Sequence, residues 1–252
     1  MSDFVVVIPA RFESERLPGK PLRLIAGLPM IQHVWQCALG SEASQVVIAT
    51  DDERIQSAAE SFGATVCMTS ASHRSGTERI AEVAEILDWQ DEQWVINLQG
   101  DEPLMSQEAI SECAALLEDP LADISTLASP LQSAEDFRDP NVVKVVLDQK
   151  EFALYFSRAT IPYARSADSE ELAMNTALHH HGIYGYRCAV LRKLVAAKPS
   201  ALEQCEQLEQ LRALQLGQKI KVGRPTKRPG PGVDTEVDLA AVSALLRAGA
   251  AA

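Results

Sequence analysis

Short apolar runs alternate with amphipathic stretches through the first half of the chain. Four runs rich in β-branched residues are FVVVI from residue 4, QVVIAT from 45, ATVCMT from 64 and WVINL from 94. Such runs are typical of strands that are covered on both faces of a sheet. Between them the pattern predicts helices over 30–39 and 53–62, each followed by a glycine, and a helix that begins at Ser75 with a Ser75–Glu78 capping box. Alternating strands and helices predict an α/β fold, which binds ligands at the carboxyl ends of its strands.

The second half of the chain has a different pattern. Apolar segments over 142–148 and 152–162, separated by a few polar residues, predict a β-hairpin. The polar stretch over 164–175 is expected to be a mobile loop. The remaining predicted elements are a strand over 181–187, one long helix near 200–216, a strand over 219–223 and a final helix from about 235. No internal repeat is found, so the pattern predicts one domain with an α/β half and a hairpin-containing half.

The composition of the chain argues against several classes of protein. The 252 residues carry a formal net charge of -12, which argues against a general binder of nucleic acid or of acidic membranes. No run reaches the roughly 18 apolar residues of a membrane span, and the N-terminus lacks a leader pattern, so we expect neither export nor membrane insertion. The cysteines have no CxxC spacing, which favours a reducing cytoplasm. They are Cys37, Cys67, Cys113, Cys188 and Cys205.

A local cluster of cations follows the first predicted strand. The loop in VVIPARFESERLPGKPL presents Arg11, Arg16 and Lys20 around two prolines and a glycine. Surface charge is screened over about 8 Å at physiological salt, so such a cluster can bind an anion in an acidic protein. A triphosphate suits it, although both the GxGxxG and the GxxxxGK[ST] patterns are absent, which excludes the dinucleotide oxidoreductase fingerprint. The alternative is a solvated loop whose cations pair with Glu13 and Glu15.

Two carboxylates from distant segments are candidates for one metal site. Asp101 follows the strand WVINL in the motif NLQGDEP, and Asp234 follows a Pro/Gly turn in PGPGVDT. Together they could hold Mg²⁺ against phosphate oxygens, because Mg²⁺ is usually bound through one or two carboxylates and its substrate. The alternatives are that Asp101 forms a turn and that Asp234 caps the last helix.

Other polar residues each have a structural and a functional interpretation. Ser75 and Gly76, in HRSGTER, offer backbone amides at a helix start that can bind an anion or a base edge, although the pattern by itself indicates only a good N-terminus. Arg158 lies among apolar residues, where it requires either a structural salt bridge or an anionic ligand. Zinc binding by the HHH stretch over 179–181 is rejected, because successive strand residues face opposite sides.

The predicted helix near 200–216 shows an apolar stripe. Its members are Leu202, Cys205, Leu208 and Leu211, which the periodicity assigns to the core. On this pattern Glu209 and Gln210 are surface residues.

The motifs taken together resemble a known family. IPARFESERLPGKPL resembles the N-terminal signature of nucleotidylyltransferases that activate acidic sugars with CTP, and the further motifs are similar to the 3-deoxy-manno-octulosonate cytidylyltransferases, or CMP-KDO synthetases. The matches run in order from residue 4 to about 240. They include HRSGTERIAEV, NLQGDEP, NVVKVV, ALYFSRATIP, HGIYGYR, LEQLR and GVDT. Arg74 and the HHHG stretch depart from the family pattern.

The resemblance implies a fold and a reaction. The fold is α/β, a nucleotide-diphosphosugar transferase (Rossmann-like) fold with a mixed, mainly parallel central sheet and a small hairpin lobe. The reaction couples CTP to 3-deoxy-D-manno-octulosonate (KDO), giving CMP-KDO and pyrophosphate for lipopolysaccharide inner-core synthesis. A cytoplasmic homodimer is implied. A cytidylyltransferase for another acidic sugar, such as 8-amino-KDO or a sialic acid, and a non-catalytic CTP-binding regulator are the alternatives.

The resemblance also implies roles for individual residues. It makes Arg11, Arg16, Lys20 and Asp101 catalytic, and Asp101 and Asp234 the ligands of Mg²⁺. It places Ala10, Arg11, Lys20, Ser75 and Gly76 against the nucleotide. The wall of the sugar site would consist of Gln99, Arg158, His180, Tyr184, Glu209 and Gln210, called the sugar wall below.

The same family pattern suggests a division of the single domain over 1–252. About 1–130 would mainly bind CTP, and about 131–225 would bind the sugar and form the dimer. The last segment, 226–252, would supply the metal-binding turn and the C-terminal helix.

Overall fold

A computed structural model describes residues 3–14 and 16–249 of the chain, so the outermost residues of the predicted 1–252 domain lie outside the described part. The strands are β1 (Phe4–Ala10), β2 (Leu24–Ile25), β3 (Leu28–Pro29), β4 (Gln45–Thr50), β5 (Thr65–Met68), β6 (Trp94–Leu98), β7 (Ile124–Pro130), β8 (Lys144–Leu147), β9 (Ala153–Ser157), β10 (Leu178–Arg187) and β11 (Ile220–Gly223). The α-helices are α1 (Met30–Leu39), α2 (Glu53–Ser61), α3 (Gly76–Ile86), α4 (Gln107–Ala115), α5 (Ala134–Arg138), α6 (Glu170–Thr176), α7 (Cys188–Ala196), α8 (Ala201–Glu206), α9 (Gln210–Gln215) and α10 (Glu236–Gly249). Short 3₁₀ turns occupy Lys20–Leu22, Leu116–Glu118 and Ala167–Ser169.

One nine-stranded sheet organises the fold. Its main path runs β11-β7-β10-β6-β1-β4-β5, and β8 and β9 extend it beside β10. Strand β1 pairs in parallel with both β4 and β6, whereas β10 runs antiparallel between β6 and β7. The mixed, mainly parallel sheet that the sequence predicts is therefore confirmed.

The apolar runs are continuous because the sheet is covered on both faces. Along β1, Val5 and Val7 pack into one hydrophobic cluster, and Val6 and Ile8 pack into another on the opposite face. Every side chain of such a strand buries apolar area on one face or the other, and each Å² buried stabilises the folded state by about 25 cal/mol. The alternation of polar and apolar positions seen in half-exposed strands is therefore missing here.

The predicted hairpin is confirmed and forms part of the main sheet. Strands β8 and β9 pair antiparallel, with Val145 opposite Phe156, and β8 also pairs with β10. The strands are shorter than the apolar segments that predicted them. A second, small hairpin is formed by β2 and β3.

The single long helix predicted near 200–216 is wrong. Helices α8 and α9 are separated at Gln207, whose φ of 53° is left-handed and ends α8. After this break Leu208 and Leu211 are buried, while Leu202 and Cys205 lie on the exposed side of α8. Only half of the predicted apolar stripe therefore contributes to the core.

The loop predicted over 164–175 is wrong as well. A 3₁₀ turn and α6 occupy most of it, and the Ser166 amide is bound by the hydroxyl of Ser169. Ala173 is buried beside Phe137 of α5 in a small separate cluster. The polar composition misled the prediction because this helix buries only a short apolar stripe. Within residues 3–14 and 16–249, no helix combines the length and apolar character needed to cross a membrane.

Candidate active site

A cleft of about 670 Å³ lies at the carboxyl ends of β1 and β6. The cation loop after β1, the start of α3, the turn after β6 and the segment before α10 surround it. Its lining residues are Pro9, Ala10, Arg11, Glu13, Ser14, Arg16, Lys20, Pro21, Arg74, Ser75, Gly76, Gln99, Gly100, Asp101 and Asp234, and we call it the nucleotide cleft. All the predicted nucleotide and metal residues therefore meet in one place, together with Gln99 of the sugar wall.

Sheet topology explains why these segments meet. Strands β1 and β6 are parallel neighbours, so the residues that follow them come to the same edge. The turn after β6 approaches β1 so closely that a Cβ at Gly100 would lie 2.8 Å from the carbonyl oxygen of Pro9. A glycine is therefore required there.

Lys20 joins the two predicted metal ligands. Its Nζ lies 2.6 Å from Oδ2 of Asp101 and 2.9 Å from Oδ1 of Asp234, and Arg16 also reaches Oδ1 of Asp234, at 2.9 Å. The Lys20 side chain is only 12% exposed. Burial would lower the pKa of Lys20, but the charges and hydrogen bonds of the two carboxylates raise it above its ordinary value. The ammonium therefore stays charged and holds the two carboxylates together.

These pairs bear on the alternative interpretation of the loop. Lys20 and Arg16 do pair with carboxylates, but these come from the turn after β6 and from the segment before α10. Glu15, one of the two partners proposed within the loop, lies outside the described residues. The loop cations are thus directed into the cleft.

The role of Asp234 as a helix cap is taken by its neighbours. Thr235 Oγ1 accepts a hydrogen bond from the Asp238 amide, and Asp238 Oδ2 accepts from the Asp234 and Thr235 amides. This reciprocal arrangement is a capping box that binds the Asp238 amide in the first turn of α10 and the Thr235 amide before it. The carboxylate of Asp234 is therefore available to the cleft.

The donor set of the cleft fits Mg²⁺. Asp101 and Asp234 supply hard oxygen ligands to one point, where Lys20 now provides the positive charge. In the part of the chain that the structure describes, no group of three or more His, Cys, Asp or Glu side chains is arranged to hold a metal. Two carboxylates completed by substrate phosphates and water are the usual arrangement for Mg²⁺.

The three consecutive histidines have separate surroundings. His179 and His181 share one face of β10, with ring centroids 5.1 Å apart, and His180 faces the other side. His179 Nδ1 accepts from Arg228, and His180 Nε2 lies 3.0 Å from the hydroxyl of Thr126. Burial lowers the pKa of His180 and His181 to about 3, so both are neutral. This geometry agrees with the rejection of zinc.

The start of α3 differs in one bond from the predicted capping box. Ser75 Oγ accepts from the Glu78 amide, as predicted, but the Glu78 carboxylate accepts from the amide of Arg74. Ser75 Oγ also donates to Oε1 of Glu209, at 2.9 Å. The reciprocal half of the box is therefore wrong, and the Ser75 side chain is fixed by a residue distant in sequence.

A buried arginine that the sequence analysis missed lies beside the cleft. Arg79 of α3 is fully buried, with its guanidinium 3.0 Å from Asp51 and 2.5 Å from the hydroxyl of Thr69. Burial and the nearby charge of Arg11 lower the pKa of Arg79, against the opposing effect of Asp51. One terminal nitrogen of Arg11 is buried without a hydrogen-bond partner among the described residues. A charged position on the apolar side of α3 is the sequence signal that could have identified Arg79.

Three of the six residues of the sugar wall line a much smaller space. Tyr184, Glu209 and Gln210 line a cavity of about 10 Å³ beside the nucleotide cleft. Ring contacts of His180 with Tyr184 and Phe156, at 5.2 and 5.1 Å between centroids, extend this wall. Glu209 is partly buried and is not the surface residue that periodicity predicts, because the helix break at Gln207 turns it inward.

Arg158 is held by backbone carbonyls. Its guanidinium donates to the carbonyl oxygens of Glu206, Pro140 and Gln207 at 2.8, 2.9 and 3.4 Å. It thereby ties the end of β9 to the break between α8 and α9. This is a structural role of the kind weighed for Arg158, with carbonyl oxygens in place of a carboxylate.

The chain is similar to a known family and to solved structures. The model of the family described as Cytidylyltransferase matches residues 5–220. The chain is similar to a solved CMP:2-keto-3-deoxy-manno-octonic acid synthetase complexed with CTP, with 42% identity and a TM-score of 0.90 over 98% of this chain and 100% of that chain. It is also similar to 4-diphosphocytidyl-2C-methyl-D-erythritol synthase from Anaerococcus prevotii, with 12% identity and a TM-score of 0.63 over 97% of this chain and 99% of that chain. The second likeness shows the fold alone.

Proposed function

Because the chain belongs to the cytidylyltransferase family, we propose that it couples CTP to KDO, giving CMP-KDO and pyrophosphate. The observation that carries the proposal is the nucleotide cleft, where Lys20 joins Asp101 and Asp234 beside the amides of Ser75 and Gly76. The similar synthetase complexed with CTP supports KDO as the sugar acid.

The reaction is an in-line displacement at the α-phosphorus of CTP. The anomeric oxygen of KDO forms a bond to phosphorus, the bond to the pyrophosphate oxygen breaks, and the hydroxyl proton is released. Arg11, Arg16 and Lys20 would bind the β- and γ-phosphates and stabilise the charge that develops on pyrophosphate. Positioning and charge stabilisation account for most of the rate in such reactions.

Asp101 and Asp234 would hold Mg²⁺ in this cleft. The ion supplies positive charge that stabilises the α-phosphate as it is attacked. Ala10, Ser75 and Gly76 would contact the nucleotide, and the backbone amides at the start of α3 suit a phosphate or a base edge.

The sugar would bind along the sugar wall. Gln99 opens directly into the nucleotide cleft, and Tyr184, Glu209 and Gln210 lie behind the start of α3. These neutral and acidic groups suit sugar hydroxyls. Arg158 would neutralise the sugar carboxylate, which requires its guanidinium to leave one of its carbonyl partners.

The proposed division of labour follows the chain. All the lining residues of the nucleotide cleft except Asp234 come from about 1–130, and Asp234 comes from 226–252. The part over 131–225 carries the β8–β9 hairpin, where Leu154 is 62% exposed. We propose this hairpin as the surface of a homodimer. The reaction would take place in the cytoplasm, to which the five free cysteines are suited, and would serve lipopolysaccharide inner-core synthesis.

Pyrophosphate release from CTP and Mg²⁺ tests the proposal. KDO, its 8-amino analogue, N-acetylneuraminate and a control without sugar are compared with purified protein. We expect release with KDO alone. Preference for another acid would keep the mechanism and change the substrate, whereas CTP binding without release for any sugar would favour the regulator.

A further inference from the structure

Glu209 connects the nucleotide cleft to the sugar wall. Its Oε1 accepts a hydrogen bond from Ser75 Oγ at 2.9 Å, and its Oε2 accepts from Thr77 Oγ1 at 2.8 Å. Both hydroxyls belong to the start of α3, more than 130 residues away in sequence. The Glu209 carboxylate therefore binds the first turn of α3, and Ser75 and Gly76 of this turn also line the nucleotide cleft.

No cation neutralises this carboxylate directly among the described side chains. The nearby Arg212 is engaged by Glu203, with Nε 2.8 Å from Oε2 and NH2 2.5 Å from Oε1. Burial raises the pKa of Glu209, and the hydrogen bonds of Thr77 and Ser75 oppose that rise. The two hydroxyls are therefore the groups that bind the carboxylate directly, while the charge of Arg212 also opposes the rise in pKa without a direct bond.

We propose that Thr77 is a positioning residue that orients Glu209 for the sugar; this rests on the proposed function. A carboxylate has about four lone-pair sites, and two of those on Glu209 are used by Ser75 and Thr77. The remaining sites are free to accept sugar hydroxyls while the carboxylate stays in place. Thr77 is buried and lines the small cavity with Glu209, so it acts from behind the wall.

The two hydroxyls have different consequences for the two substrates. Ser75 belongs to the nucleotide cleft, so its loss affects CTP and sugar together. Thr77 does not line that cleft, and its hydroxyl donates to Oε2 of Glu209, the oxygen that Ser75 does not contact. Loss of the Thr77 hydroxyl is therefore expected to weaken binding of the sugar and to leave binding of CTP unchanged.

Steady-state kinetics of Thr77→Val test this inference, with Thr77→Ser as the matched control that keeps the hydroxyl. Valine has nearly the shape of threonine but cannot donate. We expect the KM for KDO to rise about tenfold in Thr77→Val, the effect of one lost hydrogen bond to a charged group. The KM for CTP should stay within about twofold in both variants, and Thr77→Ser should restore the KM for KDO.

The outcomes separate the inference from the proposed function. If the wild type turns over KDO and Thr77→Val leaves its KM unchanged, or raises both KM values equally, the inference is overturned. If Thr77→Val does not fold, Thr77→Ala is measured by the same criteria. If neither variant folds, Thr77 is a structural residue and the inference is overturned as well. If the wild type prefers another acid, the proposed function fails and the same split is measured with that acid; no turnover with any acid overturns both.

Discussion

The nucleotide cleft and the sugar wall differ in how their polar side chains are stabilised. The cleft is wide and open, and its charged groups neutralise one another, as Lys20 does with Asp101 and Asp234. The part of the sugar wall formed by Tyr184, Glu209 and Gln210 lines a cavity of about 10 Å³, and its carboxylate, Glu209, is held by neutral hydroxyls.

The difference indicates which residues serve chemistry and which also serve the fold. The carboxylates of the cleft are partly exposed, Asp101 to 34% and Asp234 to 49%, so water screens them and they can be changed with the fold intact. Buried groups near the sugar wall are expensive to leave without a partner. Mutations in the cleft should therefore alter kinetics with little change in the free energy of unfolding, whereas mutations behind the wall should also lower the free energy of unfolding.

The largest expected effect is the loss of turnover in Asp101→Asn. The variant removes a carboxylate from the metal site, and we expect pyrophosphate release at saturating Mg²⁺ to fall by about three orders of magnitude. The midpoint of unfolding should change little, because Asp101 is about one-third exposed. Glu92→Gln, an exposed charge elsewhere on the surface, is the control. Near-normal turnover of Asp101→Asn would remove Asp101 from the metal site.

Behind the sugar wall, Arg212→Met should reduce stability. Arg212 is 7% exposed and forms two hydrogen bonds with Glu203, so its loss leaves a carboxylate that is only 14% exposed without its cation. We expect the free energy of unfolding in urea to fall by about 3 kcal/mol. Arg224→Met removes the exposed pair with Glu151 and should cost under about 1 kcal/mol. Equal losses in the two variants would contradict the comparison.

A smaller kinetic effect is expected for Lys20→Ala. Removal of the ammonium lowers the affinity for the triphosphate of CTP, and it leaves the carboxylates of Asp101 and Asp234 to repel each other. We expect kcat/KM for CTP to fall about 10- to 100-fold, the loss of one or two hydrogen bonds to charged groups. Lys198→Ala, on an exposed loop, should behave as the wild type. Unchanged kinetics in Lys20→Ala would return the loop to the solvated interpretation.

The smallest expected effect is a pH dependence carried by Glu102. Burial and the charges of Asp101 and Asp234 raise the pKa of Glu102 from 4.5 to about 8, against the opposing charge of Lys20. The folded state therefore holds this proton more tightly, and its contribution to stability is lost as the pH rises towards 8.

Urea unfolding of Glu102→Gln at pH 5 and pH 8 measures this loss. The wild type should lose more stability than the variant over that interval, by on the order of 1 kcal/mol once the partial access of water is allowed for. The same difference between the two proteins at both pH values would show that Glu102 keeps an ordinary pKa.

Local patterns predicted most of the elements. The bounds of α1 and of the strands β4 and β6 follow directly from the apolar runs and the glycine after residue 39. The break at Gln207 was missed, because it depends on tertiary contacts. Arg158, which is distant in sequence, donates to the carbonyl oxygens of Glu206 and Gln207, and the next residue, Leu208, is buried in the core. The motif resemblance selected residues that meet in one cleft, but it did not indicate their hydrogen-bond and ion-pair partners.

The sequence by itself determined the α/β sheet, the positions of the cleft segments at its carboxyl edge and the charge of each candidate group. Tertiary structure decided which of those groups meet: Asp234 faces Lys20 while Thr235 and Asp238 cap α10, and Glu209 turns inward to Ser75 and Thr77. The reason is physical. Periodicity reports burial within one element, whereas the partner of a polar side chain depends on the packing of segments that are far apart along the chain.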